Sequence, residues 1–253
     1  DKKRNNFKDT DPEKLSDSKN QSNIDKQKKI EELIKKIEED EKNQKVAFDK
    51  DINEKLNSKD EIERLFALFS SSRFNEAKKL AETILTKDAE NPVALAYMGS
   101  LIAIEGGKTK NPMQSINLVN KAYEYLDKAV RIMEELEKEL EKGNIQNGKF
   151  FIENQHKYFE YYIIVLSNRA IVSSSVPDQI FNKLDVAIED FKKISQIYEK
   201  LGMSNESALS LMQAAILLEK KNKIELANII WLTLSKYKDL PAKVELELLK
   251  RGL

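Results

Sequence analysis

Residues 74–107 read FNEAKKLAETILTKDAENPVALAYMGSLIAIEGG and contain two runs of apolar residues at helical spacing. The apolar positions are Phe74, Ala77, Ala81, Ile84 and Leu85 in the first run, and Ala94, Leu95, Met98, Gly99 and Ile102 in the second. Steps of three and four residues place these side chains on one face of a helix. Pro92 opens the second run, and proline favours the first turn of a helix because its missing N–H would have no partner there. The sequence therefore predicts two consecutive helices, the second beginning at Pro92.

The two runs combine small and large residues in a way that allows close helix packing. Ala77 and Gly99 are small enough for two helix axes to approach closely, while Phe74, Leu85 and Met98 fill the space beside them. This arrangement resembles the tetratricopeptide repeat (TPR), with the second helix of one repeat followed by the first helix of the next. The resemblance implies an all-α fold, a TPR-like α-solenoid of stacked antiparallel helix pairs.

Further copies of the pattern place the TPR-like helical repeat domain at residues 61–253. One clear copy combines Leu211, Ala215 and Leu218 with Ala227, Trp231 and Leu234. Two less regular copies contain Ala122, Leu126 and Ala129, and Ala187, Phe191 and Ile194. We therefore expect about three to four irregular helix pairs.

Two insertions interrupt the regular spacing. The chain between Gly99 and Ala122 is roughly eleven residues longer than a standard repeat allows, and residues 106–112 form the predicted insertion. We expect a glycine there to end the helix in the left-handed conformation, followed by a flexible link. An alternative is that the insertion borders a binding groove. A second lengthening is predicted at residues 137–148.

The N-terminal part of the chain is strongly polar. Residues 1–23 are rich in Lys, Asp, Asn and Ser, so we predict a flexible polar tether. Residues 24–60 form a charged amphipathic helical extension, in which Ile30, Leu33, Ile34 and Ile37 lie among Lys and Glu. This helix either packs on the repeats as a cap or forms a coiled coil with a partner or a second copy.

Composition excludes several classes of function. Lys plus Arg and Asp plus Glu are 43 each, so no net charge attracts nucleic acid or an anionic membrane. The chain has no cysteine, which excludes disulfides, thiolate catalysis and cysteine-ligated zinc. No apolar run reaches the roughly 18 to 20 residues of a membrane-spanning helix.

A polar tether such as the one predicted at residues 1–23 is typical of the segment after the lipidated cysteine of a bacterial lipoprotein. We therefore favour a periplasmic or membrane-anchored lipoprotein, with a lipid anchor upstream of residue 1, over a cytoplasmic protein.

Residues capable of catalysis are few. His156 is the only histidine, so one chain has no histidine pair for a metal, and we expect this side chain to be solvated. The segment 105–109 has Gly, Lys and Thr in the order of a phosphate-binding loop, but Ile102 stands where the first glycine belongs. We predict no catalytic residue, no cofactor and no metal, and we expect that the chain is not an enzyme. Converging carboxylates in a cavity would favour an enzyme instead.

The predicted binding residues derive from the aromatic cluster at 158–162 and from the resemblance. The inner-face register of the TPR family implies that Tyr97, Ser100, Met212 and Gln213 line the concave face. Within the aromatic cluster, Tyr161 either fills the core between helices or offers broad contact area in a groove. Asn168 and Arg169, which follow about a turn and a half later, offer groups that bind an amide or a carboxylate.

Together these residues predict a non-catalytic scaffold or adaptor whose concave face binds a protein or peptide. The alternative is a small-ligand or substrate-capture protein associated with a transporter, whose subunit would then be the partner. In that case the insertions close the groove around an apolar pocket.

Overall fold

The fold is all-α, as the sequence predicts. A computed structural model describes residues 12–141 and 155–253, and within these ranges it contains helices and no strand. The helices are α1 (Pro12–Leu56), α2 (Glu61–Ser70), α3 (Phe74–Lys87), α4 (Pro92–Lys108), α5 (Pro112–Glu141), α6 (Gln155–Ser175), α7 (Asp178–Phe181), α8 (Leu184–Lys200), α9 (Ser204–Lys220), α10 (Ile224–Leu234) and α11 (Ala242–Arg251). None of these helices is both long and apolar enough to cross a membrane.

The predicted boundary between the helices α3 and α4 is confirmed. Pro92 is the first residue of α4, and Asn91 is its N-cap. The Asn91 side-chain oxygen accepts a hydrogen bond from the backbone N–H of Ala94 at 3.0 Å. This bond satisfies one of the N–H groups that a helix leaves without a partner in its first turn.

The close approach of α4 to α5 depends on Gly99. A Cβ atom added to Gly99 would lie 2.6 Å from Leu126 Cγ and 2.9 Å from the backbone oxygen of Ala122. Both distances are shorter than the contacts that a real Cβ atom makes with non-bonded heavy atoms, so only glycine fits here without a shift of the neighbouring atoms. The prediction that Gly99 marks a close helix contact is confirmed.

The expectation for the insertion at residues 106–112 is wrong in its local structure. Gly106 and Gly107 lie within α4, and the left-handed glycines of the described residues are Gly202 and Gly252. Gly106 is buried against Val119, and its carbonyl accepts a hydrogen bond from Ser115 Oγ at 2.8 Å. Because this packing stabilises α4 beyond the predicted end, the added residues lengthen α4 and α5 and leave only a short turn at 109–111.

The helices from α2 onward pack along the chain around two large apolar cores and a third, smaller cluster of Val119, Tyr123, Leu126 and Val172. The first core joins residues of α2, α3, α4, α5, α6 and α8, and the second joins residues of α8, α9, α10 and α11. Helix α4 contacts α3, α5 and α6, while α8 contacts α6 and α9. The helix α8 therefore links the two cores.

The long helix α1 contacts both ends of this arrangement. Near its C-terminus it packs on α2, where the rings of Phe48 and Phe66 have centroids 6.3 Å apart. It also packs on α11, where Lys243 Nζ lies 2.8 Å from a Glu41 carboxylate oxygen.

Helix α1 begins at Pro12, inside the segment 1–23 predicted as a tether, and residues 1–11 lie outside the described residues. Residues 142–148 of the second predicted lengthening also lie outside them.

Replacing Gly99 with alanine is expected to lower the free energy of unfolding by about 1–3 kcal/mol, since the new Cβ would force α4 and α5 apart. Gly107→Ala is the matched control in the same helix, because a Cβ there meets nothing within 4 Å. That variant should be unchanged or more stable by up to about 1 kcal/mol, the helix preference of alanine. Urea unfolding followed by far-UV circular dichroism measures both, and equal stability of the two variants would contradict the close contact.

Candidate functional site

An apolar cleft lies among the helices α4, α5, α6 and α7. Its volume is about 400 Å³, and it is partly open to solvent. Phe69 of α2 closes one side. The walls are formed by apolar residues, including Ala103, Ile104, Ile116, Val119, Val172 and Phe181. We refer to this space as the cleft.

The insertion at residues 106–112 shapes one end of the cleft. Gly107 of α4 and Pro112 of α5 both line it. Ser115 donates a hydrogen bond to the Gly106 carbonyl, which holds the start of α5 against the end of α4. Ala103 has only a methyl side chain and Gly107 has none, so they leave space that larger residues would fill, and the local sequence explains why a cavity forms here.

Two of the predicted binding residues meet in the cleft, although they are far apart in the sequence. Ser100 on α4 donates a hydrogen bond to Asn168 Oδ1 on α6 at 2.6 Å. Asn168 Nδ2 in turn donates to the backbone oxygen of Ile164 at 2.9 Å. Both side chains are buried and both line the cleft. The Ser100 oxygen keeps acceptor lone pairs, so the floor offers one small polar group in an apolar space.

The rim of the cleft is also apolar. Ile171 on α6 and Ile180 on α7 line the cleft, and each is 59% exposed to solvent. They continue the apolar lining outward onto the surface. A contiguous apolar patch that joins a cavity is typical of a binding site, whereas single exposed apolar residues are common everywhere.

The structure places Tyr97 in the core rather than on an open face. Its ring lies 5.1 Å from that of Phe69, centroid to centroid, and the residue is only 3% exposed. Burial raises the pKa of Tyr97 above its ordinary value. A partner could reach this side chain only if the helices around it moved.

Tyr161 is also largely buried, at the edge of a second cavity of about 550 Å³. Charged residues surround this cavity, among them Lys55, Glu63 and Glu160. His156 lies at the same cavity and is exposed, as the sequence predicts, with Nε2 3.3 Å from a Glu160 oxygen. Because charges of both signs line this cavity, it is a weaker candidate for a functional site than the apolar cleft.

Arg169 belongs to a partly buried ion-pair network in which Asp190 is the fully buried member. Its Nε and Nη2 donate to the two Asp190 oxygens at 2.9 and 2.7 Å, and its Nη1 donates to Asp127 at 3.0 Å. Burial raises the pKa of Asp190, while the guanidinium of Arg169 acts in the opposite direction. Since all three side chains lie on different helices, Arg169 joins α5, α6 and α8 and has its hydrogen bonds committed within the chain.

Met212 and Gln213 lie under the long helix α1. They line a space of about 310 Å³ together with Ile37 and Glu41 of α1 and Lys243 of α11. Met212 is buried, whereas Gln213 is exposed. The part of the predicted concave face that these residues mark therefore faces α1, a segment of the chain itself, across this space, and Gln213 stays exposed to solvent.

Sequence reasoning did not identify the apolar members of the cleft. Ile104, Ile116, Val172 and Phe181 are ordinary core residues by their spacing, and nothing local shows that a cavity lies between them. The sequence gives a weak indication of an exposed apolar rim at Ile171 and Ile180, because these two large apolar residues flank the Ser-rich segment 173–175 and Pro177.

The described lining of the cleft is mostly apolar and carries no charged group. Its lining contains Ser and Asn but no Asp, Glu, Lys, Arg or His side chain. Among residues 12–141 and 155–253, no group of three or more His, Asp or Glu side chains has the arrangement of a metal site. The described lining of the cleft therefore combines an apolar surface with the neutral polar groups of Ser100, Ser115, Asn168 and Ser175.

Comparison with known proteins leaves the family open. No protein-family model matches the chain, and neither a curated protein nor a solved structure matches it.

Replacing Arg169 with alanine is expected to lower the free energy of unfolding by about 3–5 kcal/mol, because Asp190 would remain buried without its partner. Arg73→Ala is the matched control, since Arg73 forms an exposed pair with Glu76 and should leave stability almost unchanged. The double variant Arg169→Met with Asp190→Leu should recover part of the loss, since it removes both buried charges. Urea unfolding measures all three, and equal effects of the two arginine substitutions would contradict the buried ion pair.

Proposed function

We propose that this chain is a non-catalytic binding protein, a scaffold or adaptor with TPR-like helix pairs, whose cleft receives apolar side chains from a segment of another protein. The observation that carries the proposal is the continuity between the apolar lining and the exposed rim residues Ile171 and Ile180. A surface of this kind is stabilised when a partner removes it from water.

A protein segment fits the shape of the site better than a free small molecule does. The cleft is partly open, and its rim extends onto the surface beyond the area that a ligand held inside about 400 Å³ would cover. One large apolar side chain buried in such a space contributes about 1.5–3 kcal/mol, and a few such anchors account for most of the affinity of many interfaces. Because the walls are helices, little ordering is needed on binding.

A second candidate is the capture of a small apolar ligand. The volume of about 400 Å³ lies within the range of small-molecule pockets, roughly 300–1,000 Å³. The hydrogen-bonded pair of Ser100 and Asn168 supplies a polar group on an otherwise apolar floor, which is how such pockets orient a ligand. The absence of ionisable side chains from the described lining favours binding over acid–base chemistry in either case.

The test is crosslinking and affinity purification of the tagged chain from its native organism, with the double variant Ile171→Glu and Ile180→Glu. Both residues are exposed, so charged substitutions there should leave the fold intact while they disfavour contact with apolar side chains. We expect a protein that copurifies with the wild type to bind the variant at least about tenfold more weakly.

Val46→Glu is the matched control, because Val46 is similarly exposed but lies on α1, away from the cleft. It should copurify the same partner as the wild type. A partner that binds the double variant and the control equally well would contradict the cleft as the site. If native mass spectrometry instead finds a small molecule on the wild type and none on the double variant, the second candidate function is correct.

A further inference from the structure

The helix α10 is apolar on two opposite sides. Ala227, Trp231 and Leu234 face inward and are fully buried. On the outward side, Leu226, Ile229 and Leu232 are between 49% and 60% exposed. A helix that is apolar all round is normally covered on every side. The helix that α10 mainly contacts is α9, and no described residue buries the outward side chains of Leu226, Ile229 and Leu232.

The inward side of α10 is held firmly, so the helix cannot turn its outer residues into the core. Trp231 Nε1 donates to Glu219 at 2.8 Å, and the guanidinium of Arg251 lies over the Trp231 ring at 4.0 Å from its centroid. Arg251 also binds Glu219, with its Nη2 2.7 Å from a carboxylate oxygen. The exposed apolar side chains are therefore a fixed feature of the surface.

The outermost residues of α10, together with Lys236 in the turn directly after it, form a stripe that is complementary to itself. In order along the chain it contains Glu225, Ile229, Leu232 and Lys236, all exposed. The backbone of Ser235 after α10 keeps right-handed helical angles, φ −62° and ψ −13°, so the helical turn carries on to Lys236. At about 100° per residue, the four side chains then point within about 60° of one another, opposite the buried side. At about 1.5 Å per residue, the two charges lie about 8 Å on either side of the midpoint and the two apolar residues about 2 Å on either side. The four residues are thus spaced symmetrically about the midpoint of the stripe, and the stripe carries a negative charge at one end and a positive charge at the other.

We propose that two copies of this chain pair through α10, with the helices antiparallel about a two-fold axis. Each Glu225 then lies opposite the partner's Lys236, and each Ile229 lies opposite the partner's Leu232. Neither Glu225 nor Lys236 forms an ion pair with another described residue, so both charges are available for this contact. A two-fold contact requires one surface to be complementary to itself, and this stripe meets that requirement.

The self-complementary charges favour a second copy over an unrelated protein as the occupant. The pairing uses α10 and the adjoining Lys236 and does not involve the cleft, so it is independent of the function proposed above. A contact of one helix with one helix buries less area than the roughly 1,600 Å² of a stable protein–protein interface, so the dimer should dissociate in the micromolar range.

The first test is sedimentation analysis of the chain from about 1 µM to about 1 mM. We expect the mass to rise with concentration from the 29.2 kDa of one chain towards twice that value. Ile229→Asp should remain monomeric, because it places a charge at the centre of the contact on an exposed site. Val46→Asp, at an equally exposed apolar site on α1, should dimerise like the wild type. A wild type that stays monomeric throughout, or a dimer that Ile229→Asp does not weaken, would overturn the proposal.

The second test exchanges the charges at the two ends of the stripe. Glu225→Lys and Lys236→Glu should each weaken the dimer about 2- to 5-fold, since each places like charges opposite one another twice. The double variant Glu225→Lys with Lys236→Glu should restore wild-type affinity, because the charges are opposite again. Additive weakening in the double variant would overturn the antiparallel arrangement.

Discussion

The close contact between α4 and α5 at Gly99 is the constraint on which the rest of the structure depends. At this point the backbone oxygen of Ala122 and the side chain of Leu126 occupy the place of a side chain on α4. The helices α4 and α5 therefore pack closely against each other, and α6 also packs against α4. The cleft forms beyond this contact, where Ala103 and Gly107 line the space between the helices.

Buried polar groups define how the other helices meet this pair. Arg169 binds Asp190 and Asp127, so α5, α6 and α8 share one ion-pair network. Ser100 and Asn168 join α4 to α6 at the floor of the cleft. Each of these groups costs free energy when it is buried without its partner, so the arrangement of helices that pairs them all is favoured over others with the same apolar contacts.

The sequence was informative where the signal is local. Apolar spacing located α3 and α4, Pro92 marked the start of α4, and the small size of Gly99 marked a close contact. It was less informative for the site. Ser100 and Asn168 were identified by residue type and register, but Tyr97 proved to be buried in the core and Arg169 to be paired with Asp190 and Asp127. The periodicity of a helix shows which residues share a face, and it does not show whether another helix covers that face.

The sequence by itself determined that this chain is all-α, where its central helices begin, and which residues allow close packing, because these properties depend on neighbours within a few residues. Only the tertiary structure decided that Gly106 and Gly107 continue α4, that α1 lies beside Met212 and Gln213, and that residues from α4, α5, α6 and α7 line an apolar cleft. These features depend on contacts between residues far apart in the chain, such as Ser100 with Asn168, and no local pattern specifies which distant side chains will meet.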